Sequence, residues 1–418
     1  MDAVRVVQAH LACDGLLDAR PVDGGYTWQT SNAIERFQRS AMILPSGVLD
    51  DPVRAALAQS SRERDFVTAL RVLRARVIAA SGLLEDGTAG AGEATVLGFS
   101  LEPEASWRVR GHEPLDGAAP DLVSRATEVA AQALGWKDAA TALASLEALA
   151  AREVRFVALA LPRVPDYHTS AMALEVDLDR GDVWHDAEPR WRDAARRPAL
   201  IVYARDGERR IPLARWPTTI GGWQNEKDDD DIVPKWKESP VGPRIWRDLY
   251  VGPSWLPPKS TPDRELVKNM WNGHWALKTE ELGPGPHSAY GMVLIEHLQV
   301  FDLKDGSERL DDNGIGTHGS ASVTSIVNGT SHGCHRLYNQ LAVRLGDFLL
   351  RHRTHVVKGE QPEQYRRFVR HNDELFKAKV DTRGFAYELT PPVAVNVLKG
   401  NILSRRKVPP RALAPARP

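Results

Sequence analysis

The amino-acid sequence predicts a multidomain α+β protein. It has a small three-helix N-terminal module over residues 1–60, a helical scaffold over 61–152, a mostly β domain over 153–400 and a disordered tail over 401–418. Three observations carry this reading. Apolar residues recur at helical spacing through the first 150 positions, β-branched and aromatic runs take over from Val154, and 418 residues suffice for two or three cores. Apolar residues make up 42% and charged residues 26%, an ordinary balance for a folded chain. Lys plus Arg number 54 and Asp plus Glu 55, so the formal charge is −1. That gives a polyphosphate no global attraction, and nucleic acid is not an expected partner. The most apolar stretch, Ala139–Leu161, is interrupted by Glu147, Arg152, Glu153 and Arg155, so no transmembrane segment is expected.

In the first module Val4, Val7 and Leu11 share one helical face, Ile34 and Phe37 mark a second helix, and Val53, Ala56 and Leu57 a third. Asp51 and Pro52 open the third as a carboxylate N-cap and a first-position proline, whose missing N–H costs nothing there. Residues 61–152 are rich in Ala, Leu and Arg. Helices are expected at 62–80 and 121–152, around a Gly/Ala/Glu-rich break at 85–94.

From Val154 the pattern turns to strands, at Val154–Leu161 and Leu200–Ala204, with Gly207 suited to a hairpin turn before Ile211. Nine of the twelve tryptophans fall between Trp184 and Trp275, where core and loop packing is the simpler role and ring stacking on a sugar or peptide the alternative. Asp228–Asp231 reads as a solvated acidic loop, since the alternating ligand spacing of a calcium loop is absent. Beyond it the expected elements are a helix at 339–351, a strand near His355–Val357, a helix at 362–378 and a strand at 392–398, before the Pro/Arg/Ala tail from Arg405.

Only two cysteines occur, Cys13 and Cys334, which excludes a disulfide framework and a Cys-rich zinc module. Cys13 reads as a small packing residue. Cys334 does not, because its neighbours are Ser331, His332, Gly333, His335 and Arg336 rather than apolar side chains. A glycine-flanked cysteine ahead of a predicted helix is expected to gain thiolate character from the helix dipole. His318, followed by Gly319, is the candidate base. The amides of Gly333 and Cys334 are candidate oxyanion donors, His332 a candidate for support near the oxyanion, and Arg336 a candidate clamp for a substrate carboxylate. Zinc held by His318, His332, Cys334 and His335 is the competing reading, but adjacent ligands on one turn converge poorly on a tetrahedral ion. No metal and no cofactor is therefore expected.

Two segments resemble known families. The order Gln8-x-x-Leu11, Asp23-Gly24, Ala33-x-x-x-Phe37-Gln38 and Leu44-x-x-x-Val48-Leu49-Asp50 resembles the small three-helix peptidoglycan-binding module, departing from it at Thr27, where a glycine is usual. The set His318-Gly319, Ser331, Gly333, Cys334 and Arg336, with twelve residues between His318 and Ser331, closely resembles the L,D-transpeptidase family with its YkuD-type catalytic domain. Ser239-Pro240-Val241-Gly242, Pro253–Pro258 and Ala289-Tyr290-Gly291 match further elements of that family. The resemblance spans residues 154–400, with insertions near 163–198 and 223–280, and departs at His335, where the family has Val or Ile.

It implies an acyl transfer on peptidoglycan tetrapeptide stems at the bond between the diamino acid and D-alanine. Cys334 would be the nucleophile, His318 the base, Gly333, His332 and Ser331 the oxyanion side of the site, and Arg336, Gly319 and Tyr290 substrate contacts. The acceptor would be a second stem or a wall-anchored protein. The alternatives left open are a carboxypeptidase or endopeptidase using the same pair, and a non-catalytic wall-binding protein. Such work belongs in the periplasm or cell wall. The start of the chain shows no signal peptide, so a trimmed precursor or an unusual export route is expected.

Overall fold

The computed structural model describes residues 2–17, 22–90, 94–101, 109, 111–151, 158, 163–186, 196–229, 231–270, 273–404 and 406–410. The protein is a multidomain α+β chain of two compact units, one formed by residues 1–108 with 118–164 and the other by 109–117 with 165–418.

The first unit holds two cores. Helices α1 (Asp2–Cys13), α2 (Trp28–Ser40) and α3 (Asp51–Ala58) bury Leu11, Ile34, Phe37 and Val53 together. The cap of α3 lies one residue earlier than its sequence suggests. Asp50 accepts from the Val53 N–H at 3.2 Å, which places Asp51 and Pro52 inside the first turn, where neither needs an intrahelical acceptor. Cys13 is exposed at the end of α1, so it is not the packing residue its type suggested. Gln8 does the internal work instead. Its amide is buried, donates to Asp23 Oδ1 and the Gly25 carbonyl, and accepts from Gly24 N–H at 2.8 Å, tying α1 to the loop before α2.

The second core gathers α4 (Ser61–Ser81), the short strands β1 (Thr95–Val96) and β2 (Phe99–Ser100), α5 (Leu122–Ala133) and α6 (Ala139–Ala150) around Phe66, Leu70, Val96, Val123 and Trp136. The single stretch expected over 121–152 is thus two helices. Asp138 breaks it by capping α6 through a reciprocal bond with Thr141.

The second unit is built on a nine-stranded sheet. Its strands are β3 (Ala173–Asp179), β5 (Ala199–Asp206), β6 (Arg209–Pro217), β9 (Gly242–Val251), β12 (Val293–Asp302), β13 (Glu308–Ser320), β14 (His335–Tyr338), β15 (His355–His371) and β16 (Glu374–Leu398). Their order is β14-β13-β12-β9-β16-β3-β5-β6, with β15 added on β16. Around the sheet lie a β4 (Asp182–Val183) and β17 (Asn401–Ile402) pair, a β7 (Gly221–Asp228) and β8 (Asp231–Glu238) hairpin, a β10 (Val267–Asn269) and β11 (Trp275–Leu277) pair, and helices α7 (Thr279–Leu282), α8 (Val323–Val327) and α9 (Asn339–His352). Trp216 and Trp246 are fully buried, which assigns these two to packing.

The helix expected at 362–378 is a hairpin. Asn372 and Asp373 take φ of 46° and 62°, the two consecutive left-handed residues of a tight turn, and β15 and β16 pair on either side. Burial of Ala378 and Val380, two residues apart on β16, and of Val369, opposite Phe376 on β15, fits the two-residue period of a strand. The strand expected at Val154–Leu161 and most of the tail from Arg405 lie outside the described residues.

Candidate active site

Strands β13 and β14 close one end of the sheet, paired in parallel with Thr317 opposite His335 and His318 opposite Arg336. Paired residues share a face and successive residues alternate. Cys334, His318 and Arg336 therefore stand on one face, and Thr317 and His335 on the other. The same rows run on through β12 and β9, where Leu294 lies opposite His318, Tyr250 opposite Leu294, and Glu296 opposite Gly316.

The turn that presents the thiol is fixed by sequence. Gly333 has φ of 114°, and a Cβ there would meet Ile315 Cδ1 at 2.7 Å, so only glycine fits. Its N–H donates to Ser331 Oγ at 3.2 Å, while the Ser331 hydroxyl donates to the Cys334 carbonyl at 2.8 Å. The Thr219 hydroxyl donates to the same carbonyl at 2.7 Å and accepts from Arg336 N–H at 3.0 Å, and Thr218 donates to the Arg336 carbonyl. The Gly333 amide is thus committed to Ser331. Of the two amides expected to receive an oxyanion, only that of Cys334 is left for it. Ser331 acts as a brace of the turn.

Burial favours the neutral form of both the imidazole and the thiol. His318 Nδ1 lies 2.6 Å from the Gly319 carbonyl, which can only accept, so the proton sits on Nδ1 and the Nε2 lone pair is free. Burial, and then the Arg336 charge, hold the imidazole down to about 3. Burial raises the Cys334 thiol above its ordinary range, against the opposing pull of the Gly316 backbone and Arg336. The thiol donates to the Gly314 carbonyl at 3.6 Å. The expected helix-dipole stabilisation of a thiolate is absent because strand β14 follows Cys334 and α9 begins only at Asn339.

Arg336 Nε is buried without a partner, and among the described residues no carboxylate forms an ion pair with the guanidinium. The Tyr290 ring meets His318 edge-on at 4.9 Å. Gly319 is buried beneath the start of α9, where a Cβ would strike Asn339 Oδ1. Its lack of a side chain is what lets Asn339 and Ala342 pack there. His332 is exposed on the turn. His335 faces the opposite side of the sheet, fully buried and stacked on His297 at 5.1 Å. That orientation splits the zinc ligand set across two faces, and among the described residues no group of three metal-ligating side chains comes together.

Sequence reading passed over Thr218 and Thr219, whose strand-connecting position carries no local signature. It also passed over Glu296, a charged residue in the otherwise buried run Leu294–Leu298, which was a legible signal. Glu296 pairs with Arg383 at 2.9 Å, and burial and then Asp312 raise its carboxyl to about 7.

Comparison with curated proteins returns no match. Among solved structures, Bd1075 of Bdellovibrio bacteriovorus is 18% identical over 43% of this chain and 48% of its own, about half its length, with a TM-score of 0.20. A fused Zn-dependent amidase/peptidase/peptidoglycan-binding domain-containing protein from Clostridium acetobutylicum is 10% identical over 95% of this chain and 96% of its own, with a TM-score of 0.18. Neither likeness is close enough to bear on the site. No helix among the described residues is long and apolar enough to cross a membrane. Residues 1–57 match the family described as a putative peptidoglycan binding domain, which supports a peptidoglycan-binding module at the N-terminus and an association with the cell wall.

Proposed function

We propose that the protein is a peptidoglycan L,D-transpeptidase whose nucleophile is Cys334. The observation that supports this best is the single sheet face presenting a thiol, an imidazole with its tautomer fixed and an unpartnered guanidinium. In this reading Arg336 holds a stem carboxylate, and the bound stem completes the site. As Cys334 Sγ attacks the carbonyl of the diamino acid, His318 Nε2 takes the thiol proton, and the oxyanion rests on the Cys334 N–H. Collapse breaks the bond to D-alanine, whose amine leaves with the proton from His318. The thioester is then resolved by an amine of a second stem or of a wall-anchored protein, forming a cross-link and freeing the thiol. The peptidoglycan-binding module raises the local concentration of stems without touching the chemistry.

Cys334→Ala is expected to abolish D-alanine release from purified tetrapeptide muropeptides while leaving sacculus binding intact. Release at the parental rate would remove Cys334 as nucleophile. Product analysis with and without an acceptor stem separates cross-linking from hydrolysis.

A further inference from the structure

Carried back one residue from Thr317 opposite His335, the register sets Cys334 beside Gly316, whose backbone acts on the thiol and which stands opposite Glu296 on the next strand. Neighbouring strands stand about 4.8 Å apart, so the two backbones are roughly 10 Å from each other on the same face. Leu294 leans into the space between them. Its Cδ1 lies where a Cβ on Gly316 would come within 2.7 Å. The floor between thiol and carboxylate is thus aliphatic, and it ends in charges of both signs. Glu296 pairs with Arg383 at 2.9 Å, the Arg383 guanidinium lies 5.6 Å from the Tyr250 ring centroid, and Asp312 and Asp248 act on Glu296 from β13 and β9. Neither member of the pair is sealed off, with 13% of the Glu296 side chain and 24% of the Arg383 side chain exposed.

We propose that Glu296 and Arg383 are specificity-determining residues that read the far end of the stem's diamino acid, Glu296 taking its side-chain ammonium and Arg383 its side-chain carboxylate. The inference rests on the transpeptidase reading. With the acyl carbon on Sγ, a short aliphatic side chain spans the Leu294 floor and delivers its terminal group to the pair. A diaminodicarboxylic acid satisfies both members. A lysine offers only the ammonium and leaves Arg383 unanswered, and an amidated acid removes the charge Arg383 prefers. The raised carboxyl of Glu296 agrees with this: burial and then Asp312 hold it up, Arg247 is spent on Asp248, and a bound ammonium adds positive charge beside it.

The test compares D-alanine release from three tetrapeptide stems, carrying a free diaminodicarboxylic acid, its amide or lysine, in the parent protein, Glu296→Gln and Arg383→Gln. Acylation of Cys334 by a carbapenem, which has no diamino acid, is measured as a mass adduct alongside. Glu296→Gln is expected to lose roughly tenfold or more in kcat/KM on all three stems, mainly through KM, and to keep the adduct rate. Arg383→Gln is expected to erase the parent's preference for the free acid over the amide. Parental kcat/KM and preference in both variants would overturn the role of the pair alone. So would a loss in either variant that extends equally to the carbapenem adduct, because that marks a structural defect. No D-alanine release and no adduct in the parent would instead overturn the reading of the site on which the inference stands.

Discussion

Thr219→Val tests whether the segment carrying Cys334 and Arg336 is held by the bridge described above. Valine keeps the shape of threonine and removes one oxygen. That oxygen donates to the Cys334 carbonyl at 2.7 Å and accepts from Arg336 N–H at 3.0 Å. Thr219 is fully buried, so neither backbone group regains water when it goes. Each neutral hydrogen bond contributes about 1 kcal/mol net, and a buried group left unsatisfied costs about 1–3 kcal/mol. The Cys334 carbonyl keeps its bond from Ser331, while Arg336 N–H keeps none from a side chain, so the expected loss is about 3 kcal/mol. For a unit of this size that lowers the melting temperature by roughly 6–12 °C. Calorimetry of the full chain reads the shift, and carbapenem adduct formation reads the effect on the thiol, expected to slow as Cys334 and Arg336 lose their common anchor. A variant that melts and acylates like the parent would refute the bridge.

Three further outcomes follow from the electrostatics. Iodoacetamide at neutral pH is expected to label exposed Cys13 well before Cys334, and mass spectrometry showing the reverse order would contradict a buried neutral thiol. His297, His318 and His335 all have imidazoles lowered by burial. Their stability contribution is full above the unfolded value near 6.5 and is lost as pH falls below it, because the unfolded chain binds protons the fold refuses. Three such groups remove about 4 kcal/mol per pH unit, and denaturant titrations at pH 7.5 and 5.5 that coincide would exclude this. His335→Leu replaces a fully buried ring that meets the Thr219 backbone but makes no well-formed hydrogen bond. Its expected effect is a melting temperature equal to or above the parent's and a shallower acid dependence, and a loss beyond about 1 kcal/mol would show that the imidazole supports the fold.

The helices of the first unit were legible because period and caps agree there. Val53 and the Asp50 cap point to the same α3, and the error was one residue. The 362–378 region pairs as a hairpin where its sequence predicts a helix, for an identifiable reason. Its charged residues suit an exposed helix as well as the solvent side of a strand, and the deciding signal was the Asn372-Asp373 turn rather than any periodicity. At the site, residue types were legible and their bonding was not. The motif announces Gly333, but only the fold reveals that its amide is spent on Ser331. The sequence places Cys334 ahead of a helix, yet the intervening four residues pair as β14, which removes the dipole and leaves burial to set the thiol's proton affinity. Thr219 comes from a different part of the chain, and nothing local marks it.

The buried, protonated thiol bears on how long the protein survives oxidation. Peroxides attack thiolates, and the first rung of cysteine oxidation is reached slowly by a buried group that keeps its proton. Cys334 would then be chemically quiet while the site is empty and become vulnerable only when a stem brings His318 into play, an interval in which the acyl group itself blocks the sulfur. Under oxidising conditions the chain is thus expected to wear at exposed Cys13 before it wears at buried Cys334.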